Sequence, residues 1–89
     1  MKPFRWSEAK NDWLKRERRI SFERIVEAIE AGSVVDIVPN PNQARYPGQS
    51  VFVVVCDGYA VLVPFIEDND HVFLKTAFAS RKATRDYLG

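Results

Sequence analysis

The chain has 89 residues, 46% hydrophobic and 28% charged, enough for one modest core, so a single domain over 1–89 is expected and wholesale disorder is excluded. No apolar run approaches the roughly 20 residues of a membrane-crossing helix, a charged segment follows Met1-Lys2-Pro3-Phe4-Arg5-Trp6 where a signal peptide would be apolar, and the single cysteine, Cys56, has no partner for a disulfide, so a cytoplasmic chain without membrane contact is expected. The net charge of +1 conceals an asymmetry: residues 1–24 carry eight Lys/Arg against four Asp/Glu, residues 25–70 one against seven, and residues 71–89 four against one.

Such ends could bind a polyanion or be neutralised by the acidic middle. In chain order, Ser7 offers an N-cap and Glu8 a first-turn carboxylate. Trp6, Ala9 and Trp13 recur at helical spacing, which predicts a helix over 8–18 with both tryptophans on its inner side. Its Lys10, Lys15, Arg16, Arg18 and Arg19 are either a solvated surface or a phosphate-contacting one. Ser21 caps a second helix, in which Phe22, Ile25, Val26 and Ile29 form an apolar stripe and which Gly32 ends. The short link Arg18-Arg19-Ile20 folds the two into a hairpin.

Val34-Val35-Asp36-Ile37-Val38 is rich in β-branched residues and reads as a first strand. Pro39, Pro41 and Pro47 then impose a surface loop. In it Arg45 and Tyr46 supply a guanidinium for phosphate and a ring for stacking, or else a solvated arginine and an aromatic packed on the sheet. The stretch 51–56 is apolar throughout, as in a strand covered on both faces, with Cys56 packing as a small hydrophobe. Asp57-Gly58 signals a two-residue hairpin turn. The stretch 59–66 pairs back, with Pro64 at a bulge or an unpaired edge position. Val72, Leu74, Thr76 and Phe78 alternate with His71, Phe73, Lys75 and Ala77 in a last strand, one face core and the other presenting Lys75.

Ser80 caps a short helix through Leu88 whose first turn holds Arg81 and Lys82 against the helix dipole. With the backbone N–H groups there, those side chains would make an anion pocket. The fold class is α+β: two N-terminal helices packed on a four-stranded, mainly antiparallel sheet, with a short C-terminal helix.

Phe4-Arg5-Trp6-Ser7-Glu8-Ala9-Lys10-Asn11, Ile20-Ser21-Phe22-Glu23 and Arg81-Lys82-Ala83-Thr84 together resemble the BrnT-type toxins of the RelE/ParE-like superfamily, in the same order across nearly the whole chain. The resemblance implies a RelE-like fold and the toxin role in a bacterial type II toxin–antitoxin system. It implies a metal-independent endoribonuclease, without cofactor, that cuts RNA and arrests translation. Its partners would be a cognate antitoxin of ribbon-helix-helix or similar DNA-binding type, encoded alongside, with the ribosome as a further candidate. It also places Arg81 in the family's functional tail and Tyr87 close to where an aromatic residue often follows. Where the family has Lys-His-Gly before its second helix, this chain has Glu17-Arg18-Arg19, and an arginine cannot act as a general base near neutral pH.

Metal-free RNA cleavage has the ribose 2′-hydroxyl attack its own phosphate. It needs a proton acceptor, cations for the charge on the phosphate oxygens, and a proton donor for the leaving oxygen. Arg81 and Lys75 are the candidates for phosphate stabilisation, and Arg18 or Arg45 for positioning the backbone. Tyr46, Tyr59 or Tyr87 would stack or move protons, with Lys82 and Arg85 as further RNA-binding charge. His71, the single histidine, is either the base or a solvated turn residue. No Walker loop, paired-His metal motif, Gly-x-Ser-x-Gly elbow or dinucleotide fingerprint occurs, so no metal ligands are assigned. The competing class is a noncatalytic module that docks a DNA-binding or acidic protein through its basic ends.

Overall fold

The computed structural model describes residues 2–89. In chain order the elements are β1 (Phe4–Arg5), α1 (Glu8–Glu17), α2 (Phe22–Glu30), β2 (Val34–Pro39), β3 (Ser50–Cys56), β4 (Tyr59–Glu67), β5 (Val72–Leu74), β6 (Phe78–Ala79) and α3 (Arg81–Leu88). The strands form one open sheet in the order β1-β5-β4-β3-β2, with β6 also pairing β4. All pairings are antiparallel except β1 with β5. The fold is therefore α+β, with three helices and a mixed six-stranded sheet in place of the four strands expected. β1 is too short to show any alternation, and it is held by the N–H of Val72 donating to Pro3 O at 3.0 Å.

Both N-terminal helices start on their serines, whose side chains accept from the N–H groups of Lys10 and Arg24. Gly32, at φ +84°, ends α2: its N–H donates to Ile29 O and that of Ser33 to Ala28 O, the paired bonds of a left-handed helix stop. Asn11, fully buried, locks the helices together. Its Oδ1 accepts from the N–H of Phe22 at 2.9 Å and its Nδ2 donates to Glu23 Oε1 at 2.8 Å. The second bond is the main reason the Glu23 carboxyl is held below its ordinary range.

The inner side of α1 is Asn11 and Leu14, with Trp13 half-buried and Ala9 exposed, which corrects the expected Trp6, Ala9, Trp13 stripe. Trp6 follows β1 and precedes the helix, so it is out of the helical register, stacking on Phe22 at 5.6 Å. In α2, Phe22, Ile25 and Ala28 are buried while Val26 and Ile29 pack half-buried against the same core.

Strand alternation divides the sheet into two unequal faces. Phe52, Val54, Val61, Val63, Phe65, Val72 and Leu74 meet Leu14, Phe22 and Ile25 on the first face, with the Phe52 and Phe65 rings stacked at 3.9 Å. At about 1.5–3 kcal/mol for each large apolar side chain fully buried, this face supplies most of the hydrophobic stabilisation. Half-buried Cys56 packs at its margin, and burial is the main cause raising its thiol pKa. The second face carries only a small cluster, Val53, Ala60 and Ala83 with Leu62 beside them, which places α3 on the side opposite α1 and α2.

The expected strand over 71–78 is broken into β5 and β6, and Pro64 is the cause. Pro64 O accepts from the Lys75 N–H at 2.8 Å, so the polar edge of this residue faces the outer strand, where a reciprocal N–H would be required and proline has none. The ladder Glu67↔Val72, Ile66↔Phe73, Phe65↔Leu74 stops there. It resumes as Leu62↔Phe78 and Val61↔Ala79, with an additional residue on the outer strand. That bulge over 75–77 shifts the alternation: Leu74 and Ala77, three apart, both reach the core, whereas Phe78 is exposed.

Asn11→Ala leaves the N–H of Phe22 buried and unpaired, which costs about 1–3 kcal/mol. Urea unfolding should show a loss of that size, and the Glu23 carboxyl followed by NMR should move up toward the ordinary glutamate range. A stability within error of the parent protein would rule out the Asn11 clamp.

Candidate nucleic-acid interface

Because α3 covers only one end of the second sheet face, the other end opens as a groove of about 850 Å³. Its floor is the outward side of β3 and β4, Val51, Leu62, Pro64 and Ile66, joined by Phe78 of β6. One wall is the β2–β3 loop, through Asn40, Pro41, Arg45, Tyr46, Pro47 and Gln49. The other is the bulge, through Lys75 and Thr76, with Lys10 reaching in from α1. At Leu62 the groove adjoins a recess of about 230 Å³ beside α3, lined in part by Val38, Lys82, Asp86 and Tyr87.

The loop wall is built by its own hydrogen bonds. The Asn40 N–H donates to Gln49 O at 2.9 Å, extending the β2–β3 hairpin. Gln43 lies across the loop, its Nε2 donating to Asn40 O and Gln49 O while its Oε1 accepts from the Gly48 N–H. Asn42 Oδ1 accepts from the Arg45 N–H and Asn42 O from that of Tyr46. Arg45 and Tyr46 are thus presented by an ordered turn, with the guanidinium 5.5 Å from the tyrosine ring centroid.

The groove cations share one kind of support. Lys10 lies over the Trp13 ring at 4.3 Å, Lys75 over the Phe73 ring at 5.4 Å, and Arg45 over Tyr46. Among the described residues none of the three is in an ion pair, and no carboxylate or imidazole lines the groove. Arg18 braces the wall from behind: its Nη1 donates to Ala77 O at 2.9 Å and Thr76 Oγ1 at 3.4 Å, and its guanidinium lies 4.7 Å from the Trp13 centroid. No protein-family model, curated protein or solved structure matches this chain.

The structure brings together Lys75, Arg45 and Tyr46 of the residues expected from sequence, and sets Lys82 and Tyr87 in the adjoining recess. Arg81 and Arg85 are exposed on α3 and line neither. The basic tail is also partly neutralised, since Asp86 lies 3.5 Å from Lys82 and 3.6 Å from Arg85. At the helix start, Ser80 Oγ takes the Ala83 N–H that the expected anion pocket would have offered. Tyr59 stands at the Asp57-Gly58 hairpin. His71 belongs to the β4–β5 turn, its Nε2 3.5 Å from Asp68 Oδ2. The backbone N–H groups of His71 and Asp70 donate to Asp68 and hold that carboxyl below its usual range.

Lys10, one of the cations with a solvated or a phosphate-contacting reading, also lines the groove, whereas Asn40, Gln49 and Phe78 complete it but were not singled out from sequence. Residues 60, 62, 64 and 66 share one face of an alternating strand, which was the available signal for the floor.

Tyr87 donates to Asp36 Oδ2 at 2.6 Å, tying the end of α3 to β2. This bond is the first cause raising the Tyr87 phenol above the ordinary tyrosine range. The folded state therefore holds that proton more tightly than the unfolded chain. The bond's contribution to stability is present below about pH 10 and is lost as pH rises through the folded pKa. Alkaline ultraviolet titration should show a late-ionising tyrosine that Tyr87→Phe abolishes; ionisation of Tyr87 in step with a model tyrosine would exclude the bond.

Proposed function

We propose that the groove holds RNA, and that this chain is the toxin of a type II toxin–antitoxin pair, BrnT-like in family and RelE-like in architecture, cleaving RNA in the cytoplasm without a metal ion or cofactor. The observation that carries the reading is the support of Lys10, Arg45 and Lys75 by aromatic faces rather than by carboxylates. A cation on a ring keeps its charge for an incoming phosphate, whereas a cation in an ion pair must first give up its partner. Tyr46 and Phe78, both more than a third exposed, offer faces to bases, and each stacked base is worth about 1–3 kcal/mol.

In this reading Lys75 and Arg45 take the charge that develops on the scissile phosphate when the 2′-hydroxyl attacks. Tyr46 is the phenol lining the same groove, so it is assigned to stacking or proton transfer. Lys82 and Tyr87 extend the track along α3, and exposed Arg81 and Arg85 draw RNA in over a longer range. An antitoxin encoded alongside would silence the toxin by covering the groove, and the ribosome would present the RNA.

Lys75→Ala and Arg45→Ala should each reduce the slope of log affinity against log salt for single-stranded RNA by about 0.7 per lost phosphate contact. Each should slow cleavage by about 10²–10³, while stability changes by no more than about 0.5 kcal/mol. Arg81→Ala should have a smaller effect, and expression of the chain alone should arrest growth until the adjoining antitoxin is supplied. RNA affinity and cleavage untouched by both groove substitutions would leave the noncatalytic docking module as the better account.

A further inference from the structure

Among the described residues two polar ones are buried, Asn11 and Gln49. Asn11 has both ends of its amide bonded within the protein. Gln49, only 7% exposed, does not. Its backbone N–H donates to Tyr46 O, and its backbone O accepts from the Asn40 N–H and from Gln43 Nε2. Its Oε1 accepts from Asn40 Nδ2 at 2.8 Å. Among the described residues nothing accepts from its Nε2, and the one fully enclosed side-chain polar atom without a partner is Trp6 Nε1. The Gln49 amino group is therefore unpartnered without being enclosed, in a residue that lines the groove.

The sense of that amide is fixed by a backbone group. The Asn42 N–H can only donate, and it donates to Asn40 Oδ1 at 2.9 Å. Asn40 must then present Nδ2 to Gln49, and Gln49 must answer with Oε1. What remains for a ligand is an NH₂ group, a donor without acceptor capacity. A fixed donor on a side chain this little exposed favours a ligand atom that accepts and rejects one that donates.

We propose that Gln49 reads a base of the bound RNA, donating from Nε2 to the carbonyl oxygen at C4 of uracil or C6 of guanine and so selecting these keto bases over cytosine and adenine, which carry an amino group at that position. The inference rests on the reading that RNA occupies the groove. It assigns Gln49 to specificity, leaving affinity to the cations. Uracil and cytosine make the cleanest comparison, because they have the same ring size and the same C2 carbonyl and differ in a carbonyl against an amino group at C4, with the adjoining N3 a donor in uracil and an acceptor in cytosine.

The test measures binding of oligouridylate and oligocytidylate octamers by fluorescence anisotropy. The parent protein should favour oligouridylate by about tenfold, the scale of one buried hydrogen bond. Gln49→Glu keeps an oxygen for Asn40 Nδ2 and turns an acceptor toward the ligand, so it should lower the uridylate-to-cytidylate ratio below one, whatever its added charge does to both affinities. Asn40→Asp should do the same from one residue away: it keeps an acceptor for the Asn42 N–H but forces the Gln49 amide to turn over and donate to it, leaving Oε1 toward the groove. Either variant, provided its circular dichroism matches the parent, is sufficient.

A parent ratio near one, or a ratio unmoved in the folded variants, overturns base reading by Gln49. If Lys75→Ala and Arg45→Ala still weaken both oligonucleotides in that case, the RNA groove survives without it. If those two substitutions leave binding unchanged, RNA does not occupy the groove, and both proposals fall.

Discussion

The missing N–H of Pro64 is the constraint on which the site depends. A proline inside a sheet removes one ladder bond, and here it falls on the outer edge of β4, between the segments paired by β5 and by β6. The outer strand can neither pair through that point nor keep its register across it, so it bulges. The bulge has two consequences of opposite sense. Inward, it delivers Ala77 to the core in place of the next alternating residue. Outward, it lifts Lys75 and Thr76 into the wall of the groove, and Arg18 then secures the displaced backbone by bonding Ala77 O and Thr76 Oγ1. One backbone donor withheld at Pro64 therefore shapes both the core and the rim.

The second determinant is length. α3 has 8 residues and β4 has 9, which at their respective rises span about 12 Å and about 30 Å. A helix that short cannot cover a face that long. Its attachment is also more polar than apolar. Ala83 is its one buried residue, and the Ala60 N–H donates to Thr84 Oγ1 while the Ser80 N–H donates to Ala60 O. These two bonds satisfy the start of β4 much as a neighbouring strand would. The Arg81-Lys82-Ala83-Thr84 run thus divides its labour: Ala83 and Thr84 dock the helix, while Lys82 lines the recess and Arg81 faces solvent.

What was legible in the sequence follows the range of the interactions involved. The three serine caps, the Gly32 stop, the Asp57-Gly58 turn and the bulge or edge position of Pro64 are all decided within a few residues, and local chemistry announces them. The α2 stripe was legible because its period is helical. The parallel pairing of β1 was not, since two residues carry no period and their partner is 68 positions away at Phe4↔Val72. The groove was only half legible. Arg45, Tyr46 and Lys75 have the right chemistry for it, but their convergence depends on the register of β4 against both neighbours. Gln49 carries no signal in one dimension: nothing distinguishes it from other loop glutamines until Asn40 and Asn42 fix its orientation. Arg81, a charge set against the helix dipole, is exposed on α3 and is not among the residues lining the groove or the recess.

The charge distribution gains a different meaning in three dimensions. A chain of net charge +1 is nearly neutral overall, yet a polyanion responds to what lies within about one Debye length, roughly 8 Å at physiological salt. Arg45 is the single cation in the acidic stretch 25–70, and it lies in the groove. Five of the seven acids of that stretch are engaged elsewhere: Asp36 by Tyr87, Asp57 and Glu27 by Arg24, Glu67 by Lys2, and Asp68 by the turn at His71. As exposed pairs these contribute little to stability. Their larger effect is spatial, because Asp57, Glu67 and Asp68 are held at a hairpin or turn, Glu27 lies on α2 on the opposite face, and Asp36 is bound to Tyr87 of α3, outside the groove lining. The field of the three groove cations is thus met by no carboxylate among the residues that line the groove. The apolar floor of Leu62, Pro64 and Ile66 strengthens it, since side chains of low polarizability under an open groove screen Lys10, Arg45 and Lys75 less than water would.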